Sequence, residues 1–488
     1  MHHSPCTLVL TGLLVGACCP AATPPPSAAA PPGGAQTAAH AKGAEAPQHF
    51  DLQAIDRYVA AQVEQQGFVG LGLTIVKDGR IVLDKAYGKS SLASGARLGT
   101  DTPLAVGSIT KQFTCASMLL LAEEGKLSPQ DRVAKYYPEL TRAADVTLYD
   151  LGTHVSGYPD FYPLDFLDRR MMKPVTLAAL VRQYGTLKLD FEPGSRWSYS
   201  NTGFVILGGV IEQASGMPFA DFLAQRIFKP LGMEHAVLDP KKERTDLAQG
   251  HTAFAMGETE RATLEAGGWL FSAGGLYATA SDLAKWDLGL MDGKVLKPES
   301  LQLMVKPRAL SNGRTTDYGC GLGIRQIGGE TVVRHMGAVS GFLAYNAMVP
   351  RTRSAVVLLS NADHLDPGPL HEQLLKLVLE RPDDVPTVQG PPPKEVALGL
   401  LHQLQAGAID RSKLGEELGI YLSDERLRRA APGLKALGEP TTVELESLAE
   451  RGGMEVASIR FVFERGGAEA LLYRTPDGKI QEFLLYKQ

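Results

Sequence analysis

A serine and a lysine that could act together on a carbonyl group lie three residues apart, at Ser108 and Lys111, where an apolar segment with helical spacing begins. Residues at i and i+3 share one helix face, so the lysine amine would reach the serine hydroxyl and take its proton. Burial lowers the pKa of a lysine, and neighbours such as Phe113 favour burial. The alternative is that Ser108 caps the helix and Lys111 lies on a solvated face, because this spacing often arises by chance.

A tyrosine and an asparagine form a second candidate group, Tyr199 and Asn201, just before an apolar segment over residues 204–211. A tyrosine beside a lysine ammonium can have a lowered pKa and share the work of a general base. Asn201 would bind a substrate amide or orient the lysine. The structural alternative makes Asn201 the N-cap of the next helix and Tyr199 a packing residue, although a cap and a site residue can coincide.

The third candidate group is His335, Gly337 and Ala338, which follow a strand-like segment over residues 331–334. Glycine in a strand allows a substrate to approach the backbone closely. The backbone N–H groups of Ala338 and Ser108 would together stabilise an oxyanion. A histidine titrates near about pH 6.5, so His335 would carry a positive charge only in part at neutral pH. A lone His-x-Gly pattern is more often structural.

The segments that must position these groups are predicted to form one sheet, whose strands come from both ends of a domain. Asp78-Gly79 between two apolar runs is a strong hairpin signal. Residues 128–255 are predicted to be mostly helices and loops, which form an insertion in an α/β fold. The predicted strands cover residues 71–76, 80–87, 321–327, 331–334, 342–349 and 355–360.

The composition excludes several classes of protein. The chain has 488 residues, 44% hydrophobic and 21% charged, which is typical of a globular protein. A net charge of −5 without a long basic run disfavours a nucleic-acid partner. Three of the five cysteines lie in the first twenty residues, and the remaining two, Cys115 and Cys320, cannot form a multi-thiolate zinc site. No metal or organic cofactor is predicted. Cys115 is expected to be a buried apolar residue; a disulfide with Cys320 is the alternative that export would allow.

The N-terminal segment predicts export. Thr7 to Ala17 is apolar and has the length of the hydrophobic part of a signal peptide, although no Lys or Arg precedes it. Val15-Gly16-Ala17-Cys18 resembles the processing box of bacterial lipoproteins, which implies that Cys18 is lipidated. We therefore expect a periplasmic protein or a lipoprotein tethered to a membrane. The alternative is a disordered, Ala-rich leader.

The composition along the chain predicts five parts. The last part begins with helical segments and ends with three strand-like ones, over residues 454–464, 468–474 and 479–486. This order resembles the cystatin-like cone folds found as accessory domains, whose role here would be positioning, dimerisation or covering the active-site mouth. The five parts are a signal peptide over residues 1–19, a disordered Pro- and Ala-rich tether over 20–49, a domain with the three motifs over 50–385, a Pro-rich linker over 386–394 and a small α+β domain over 395–488.

The three groups, in this order, resemble the motifs of the serine beta-lactamase-related superfamily. The branch is that of class C beta-lactamases and D-alanyl-D-alanine carboxypeptidases, which includes D-aminopeptidases and esterases. The resemblance covers about residues 51–380, with further similar stretches at residues 153–157, 191–194, 273–276 and 319–323. It implies a beta-lactamase/transpeptidase-like fold.

The same resemblance implies a role for each candidate residue. Ser108 would be the acylated nucleophile, and Lys111 and Tyr199 would handle its proton. Asn201 would bind the substrate amide. The acyl pocket would be lined by Gly337 and Ala338.

The third motif departs from the class C pattern, which has a lysine where this chain has His335. A lysine binds a substrate carboxylate at neutral pH, whereas a histidine does so only in part. His-x-Gly resembles the D-aminopeptidase and esterase members, so efficient hydrolysis of beta-lactams is not expected.

We therefore predict a serine hydrolase that works through an acyl-enzyme. Its substrate would be an amide or ester, such as a D-amino-acid-containing peptide of peptidoglycan origin or a small ester. The alternative functions are a catalytically weak penicillin-recognising or peptidoglycan-binding protein, and a scaffold whose C-terminal domain binds a partner.

Overall fold

The computed structural model describes residues 46–487, except residues 165–166, 241–243, 328, 380–384 and 465. The predicted signal peptide, most of the tether and Cys18 lie outside the described residues. The strands are β1 (Gly70–Lys77), β2 (Arg80–Gly88), β3 (Leu104–Ala105), β4 (Val237–Leu238), β5 (His251–Thr252), β6 (Glu260–Arg261), β7 (Leu276–Ala278), β8 (Gly323–Ile327), β9 (Glu330–Val339), β10 (Phe342–Val349), β11 (Ser354–Ser360), β12 (Thr442–Arg451), β13 (Met454–Phe463), β14 (Gly466–Arg474) and β15 (Ile480–Lys487).

Most of the helices lie between strand β2, which ends at Gly88, and strand β8, which begins at Gly323. None of the described helices is both long enough and apolar enough to span a bilayer. The helices are α1 (Leu52–Gln66), α2 (Thr110–Glu123), α3 (Leu148–Gly152), α4 (Leu177–Gly185), α5 (Asn201–Ser215), α6 (Phe219–Leu223), α7 (Lys229–Leu231), α8 (Phe271–Gly274), α9 (Ala280–Met291), α10 (Pro298–Met304), α11 (Gly368–Leu379), α12 (Pro393–Gln405), α13 (Glu416–Tyr421) and α14 (Asp424–Lys435).

A six-stranded antiparallel sheet in the order β2-β1-β11-β10-β9-β8 forms the centre of the fold. Its strands come from both ends of the segment, so the predicted α/β arrangement with a helical insertion is confirmed. Asp78 and Gly79 both have positive φ, as the turn of a two-residue hairpin requires. Strand β9 continues five residues beyond the predicted end at 334, which places His335 inside the strand and not after it.

Two apolar cores pack on the two faces of this sheet. Strand β11 is buried throughout and contributes to both, because successive side chains point to opposite faces. Val356 and Leu358 belong to the core that contains residues of α1 and α11. Val357 and Leu359 belong to the larger core that contains residues of α2, α5 and α9. Helix α2, which follows Ser108, is therefore enclosed by protein along most of its length.

A disulfide joins α2 to the loop before β8. Cys115 and Cys320 are both fully buried and are bonded across 205 residues of sequence. The disulfide considered as the alternative in the sequence analysis is thus the arrangement in the structure. It fixes the helix that carries Lys111 to the segment that precedes the edge strand of the sheet.

The C-terminal part has its own core and a four-stranded antiparallel sheet in the order β12-β13-β14-β15. Three of these strands agree with the predicted ones. The sequence analysis missed β12 and α14, because neither has a large buried apolar face: β12 has no fully buried residue, and Leu427 is the one buried residue of α14. The cystatin-like resemblance of this part stays a prediction.

A buried ion pair ties the C-terminal sheet to the preceding linker. Arg474 is 3% exposed and Glu455 is 6% exposed. The Arg474 guanidinium donates from Nε to Glu455 Oε1 at 2.7 Å and from Nη1 to the Pro391 carbonyl at 2.7 Å. The pair therefore anchors one end of the Pro-rich segment.

We expect Arg474→Met to lower the free energy of unfolding of the C-terminal part by roughly 3–5 kcal/mol, because Glu455 would be left buried without a counter-charge. Urea unfolding followed by circular dichroism measures this change. The double variant Arg474→Met with Glu455→Leu should recover much of the loss, since both charges are then absent. An Arg474→Met variant as stable as the wild type would show that the pair contributes nothing.

Candidate active site

Two glycines bring strand β9 against the turn that carries Ser108. Ser108 lies in a single 3₁₀ turn, Gly107–Ile109, directly before α2. Gly107 has φ +52°, and a Cβ there would lie 2.8 Å from the Ala338 backbone nitrogen. A Cβ at Gly337 would lie 1.9 Å from the Val106 carbonyl oxygen. Only residues without a side chain allow this approach, so Gly337 positions the strand next to the serine.

The Lys111 amine is the centre of the site. Lys111 is 0% exposed, which rules out a place on a solvated helix face. Its Nζ donates to Asn201 Oδ1 at 2.8 Å and to the Ala273 carbonyl at 2.7 Å, and it lies 3.0 Å from Ser108 Oγ. Burial lowers the pKa of Lys111 to about 7, against the opposing effect of Asp160.

The partners of Lys111 determine where its lone pair points. A neutral amine has two hydrogens and one lone pair. An amide oxygen and a backbone carbonyl can only accept, so they take the two hydrogens. The lone pair is then left for the Ser108 hydroxyl, which donates its proton to it. In this arrangement the neutral Lys111 amine can accept the proton of the Ser108 hydroxyl.

Tyr199 contacts the same serine oxygen from the other side. Its hydroxyl donates to Ser108 Oγ at 2.6 Å. Burial, with a further contribution from Asp160, raises the pKa of Tyr199, while its hydrogen bond with Ser108 acts in the opposite direction. The expectation of a lowered tyrosine pKa is therefore wrong, because desolvation by burial outweighs the effect of the hydrogen bond with Ser108. With its pKa raised, Tyr199 is a protonated phenol that can donate a proton.

Asp160 holds the amide of Asn201 in one orientation. Asp160 Oδ1 accepts from the Asn201 backbone N–H at 2.9 Å, and Oδ2 accepts from Asn201 Nδ2 at 3.3 Å. The amide oxygen must then face Lys111. The N-cap of α5 is Ser200, and Asn201 is the first residue of the helix. Sequence reasoning missed Asp160, because a single carboxylate in a loop has no spacing pattern.

His335 is a buried, neutral histidine. Its Nδ1 lies 2.6 Å from the Met336 carbonyl oxygen and its Nε2 lies 2.8 Å from the Tyr318 hydroxyl. The carbonyl can only accept, so Nδ1 carries the proton and Nε2 accepts from Tyr318. Burial, and then the Lys111 charge, lowers the pKa of His335 to about 3. The expected partial positive charge at this position is therefore wrong.

The ring of His154 packs against the ring of Tyr199. The two ring centroids are 4.3 Å apart, and His154 Nδ1 accepts from the Ser200 backbone N–H at 3.1 Å. Burial, with smaller effects of the Lys111 and His335 charges, holds the pKa of His154 well below its usual value. His154 itself has φ +60°, a conformation that is uncommon for a residue with a side chain. The turn around it thus fixes the position of Tyr199.

The structure brings the predicted groups to a single cleft. The lining residues include five of them: Ser108, Tyr199, Asn201, His335 and Ala338. Lys111 lies beneath the floor beside Ser108, and Gly337 packs against the serine turn. The cleft also has several apolar side chains that are partly exposed, namely Leu164, Met172, Trp197 and Met336.

The fold and the site together define a serine–lysine–tyrosine centre at the edge of a beta-lactamase-like sheet. The model of the family described as Beta-lactamase matches residues 55–380. The chain belongs to the beta-lactamase family. The predictions of the superfamily and of the fold class are thereby confirmed.

Similar proteins include a D-aminopeptidase of Brucella anthropi, 29% identical over 300 residues, which are 60% of this chain and 56% of that protein. This chain thus matches little more than half the length of that relative. The putative penicillin-binding protein PbpX of Bacillus subtilis is 27% identical over 64% of this chain and 75% of its own length.

Two solved structures show a similar fold. An octameric penicillin-binding protein homologue from Pyrococcus abyssi has a TM-score of 0.61 and 21% identity, and the match covers 89% of this chain and 100% of that one. The D-amino acid amidase of Ochrobactrum anthropi SV3 has a TM-score of 0.56 and 24% identity over 67% of this chain and 99% of its own. The first match extends beyond the family region.

We expect the kcat/KM for a neutral ester to rise with pH and to reach half its plateau near pH 7, because Lys111 must be neutral to accept the Ser108 proton and its pKa is lowered to about 7. An ester that carries a carboxylate should give the same curve, because His335 stays neutral over this range. Steady-state rates between about pH 5 and 10 measure both curves. A separate decline for the anionic ester above about pH 6 would contradict a neutral His335.

Proposed function

We propose that this protein is a serine amidase that forms an acyl-enzyme on Ser108 and hydrolyses D-amino acid amides or short D-residue peptides. The observation that carries the proposal is the pair of contacts at one oxygen: Ser108 Oγ lies 3.0 Å from a buried amine and 2.6 Å from a buried phenol. One neighbour can take the serine proton while the other can supply a proton to a leaving group.

Acylation follows from these positions. Ser108 Oγ attacks the substrate carbonyl carbon as its proton passes to Lys111 Nζ. The backbone N–H groups of Ser108 and Ala338 stabilise the negative oxygen of the tetrahedral intermediate. Tyr199 gives its proton to the departing nitrogen as the C–N bond breaks, and the ammonium of Lys111 restores that proton. The products are an amine and the Ser108 ester.

Deacylation uses the same groups in the reverse order. A water molecule attacks the Ser108 ester and gives a proton to the Lys111–Tyr199 pair. The pair returns this proton to Ser108 Oγ as the ester bond breaks and the acid leaves. The cycle consumes one water and leaves every side chain in its starting protonation state.

The site favours neutral amides over substrates that carry a carboxylate, because a carboxylate would need a positively charged partner. His335 is neutral, whereas the class C pattern has a lysine at this point. The D-aminopeptidase and the D-amino acid amidase among the similar proteins support a D-amino acid at the acyl position. Small esters should also react, because their leaving groups are better.

A fluorophosphonate probe tests the nucleophile. Wild-type protein should gain one adduct by intact mass and hydrolyse D-phenylalanine amide faster than the L-enantiomer. Ser108→Ala should lose both the adduct and the hydrolysis with little change in stability, since one partly exposed hydroxyl is removed. The matched control is Ser117→Ala on helix α2, which follows Ser108; the Ser117 hydroxyl donates to the Phe113 carbonyl within that helix.

Two outcomes would decide against the proposal. Undiminished turnover by Ser108→Ala would exclude Ser108 as the nucleophile. A stable adduct with penicillin, combined with no turnover of any amide or ester, would favour the penicillin-recognising alternative.

Separate and combined variants test the proton-handling pair. Lys111→Ala and Tyr199→Phe should each lower the rate of acylation by roughly 10²–10⁴-fold, because each removes a positioned proton acceptor or donor. The double variant should lose little more than the worse single variant, since the two groups act on one oxygen. Single-turnover kinetics with D-phenylalanine amide measure acylation directly. Losses that multiply in the double variant would show two independent roles.

A further inference from the structure

The carboxylate of Asp160 faces the same cleft as Ser108. Asp160 lines the cleft beside Asn201 and is only partly buried. It forms no ion pair with a lysine, arginine or histidine within the part of the chain that the structure describes. In the catalytic steps proposed above, Asp160 transfers no proton and only orients Asn201.

The hydrogen bonds of Asp160 leave acceptor capacity on one oxygen. Oδ1 accepts two backbone N–H groups, that of Asn201 at 2.9 Å and that of Tyr162 at 3.2 Å. Within the described residues, Oδ2 accepts only the Asn201 side chain, at the longer distance of 3.3 Å. A carboxylate offers about four acceptor positions, so Oδ2 can take a further donor from the cleft.

The other charged side chains around the cleft either have partners within the protein or lie on the exposed strand β6. Arg334 is paired with Glu372 at 2.9 Å, and Asp363 accepts the Gly341 backbone N–H at 2.7 Å. Glu260 and Arg261 are adjacent residues of the exposed strand β6. The remaining ionisable side chains that line the cleft are histidines and tyrosines, including His335, His364 and His371. Burial lowers the pKa of His371 to about 4.

We propose that Asp160 binds the free α-ammonium group of the substrate's acyl residue, so that the protein acts on unblocked amino acid amides and on the N-terminal residue of short peptides. The proposal rests on the proposed function, because it places the acyl residue on Ser108. The α-nitrogen then lies on the acyl side of the substrate, two bonds from the carbonyl carbon that Ser108 Oγ attacks. Asn201 connects Asp160 with the Lys111–Ser108 pair through successive hydrogen bonds.

Binding of an ammonium would also assist the base. The negative charge of Asp160 raises the pKa of Lys111, which opposes the neutral form that catalysis needs. An ammonium paired with Asp160 cancels this effect. The correct substrate therefore increases the fraction of Lys111 that is ready to accept a proton, and a substrate without the ammonium does not.

The test compares two substrates that differ only in the ammonium group: D-phenylalanine p-nitroanilide and 3-phenylpropanoyl p-nitroanilide. Asp160→Asn keeps an oxygen for the backbone N–H groups and removes the charge. We expect the ratio of kcat/KM for the first substrate to that for the second to fall roughly 10- to 100-fold, the range of one hydrogen bond to a charged group. The matched control is Asp363→Asn in the same cleft, which should leave the ratio unchanged.

A second measurement needs no variant. With the wild-type protein, kcat/KM for the amino substrate should decline above about pH 8 as its α-ammonium loses its proton, while the des-amino substrate shows no such decline. The fluorophosphonate adduct on Ser108 shows whether the site of Asp160→Asn is still folded, and the wild-type pH profiles decide the question if it is not.

Three results would overturn the proposal. An equal loss on both substrates in Asp160→Asn would mean that Asp160 only positions Asn201. Unchanged rates on both substrates in Asp160→Asn, or wild-type pH profiles that coincide above about pH 8, would mean that no ammonium is recognised. In each case the Ser108 mechanism survives. If the wild-type protein forms no adduct and hydrolyses neither anilide, the proposed function fails and the ammonium site fails with it.

Discussion

The burial of one amine determines how the rest of the site is built. Lys111 has no exposed surface, and its nitrogen is surrounded by two acceptors that cannot give a proton and one hydroxyl that can. Desolvation removes most of the preference of a lysine for its charged form, and only then does the amine act as a base near neutral pH. The protein that encloses α2 therefore keeps water away from this nitrogen.

The close approach of distant segments keeps that environment fixed. The turn before α2, the start of α5 and strand β9 are far apart in sequence, and each supplies groups to the same oxygen or its surroundings. Glycine at 107 and 337 lets β9 touch the turn, and the Cys115–Cys320 disulfide holds α2 to the loop before β8. Loss of rigidity at these contacts would admit water and restore the charge of the lysine.

Much of this arrangement could be predicted from local patterns. The sheet followed from alternation, from the Asp78-Gly79 turn and from apolar runs, and the i, i+3 spacing placed Lys111 beside Ser108. The ionisation states could not be predicted, because burial is a property of the whole fold: the same burial that neutralises Lys111 raises the pKa of Tyr199 and keeps His335 neutral. β12 was missed since its residues are mostly exposed.

The neutral state of these side chains leaves the cleft with little positive charge. Lys111 is close to its midpoint at neutral pH, and His154 and His335 are uncharged, so positive charge near the serine is weak. The Asp160 carboxyl lies in the same cleft, where its oxygens accept N–H groups of Tyr162 and Asn201. In the mechanism that we propose, a cationic substrate would offset the charge of Asp160, which raises the pKa of Lys111 and so opposes its neutral form.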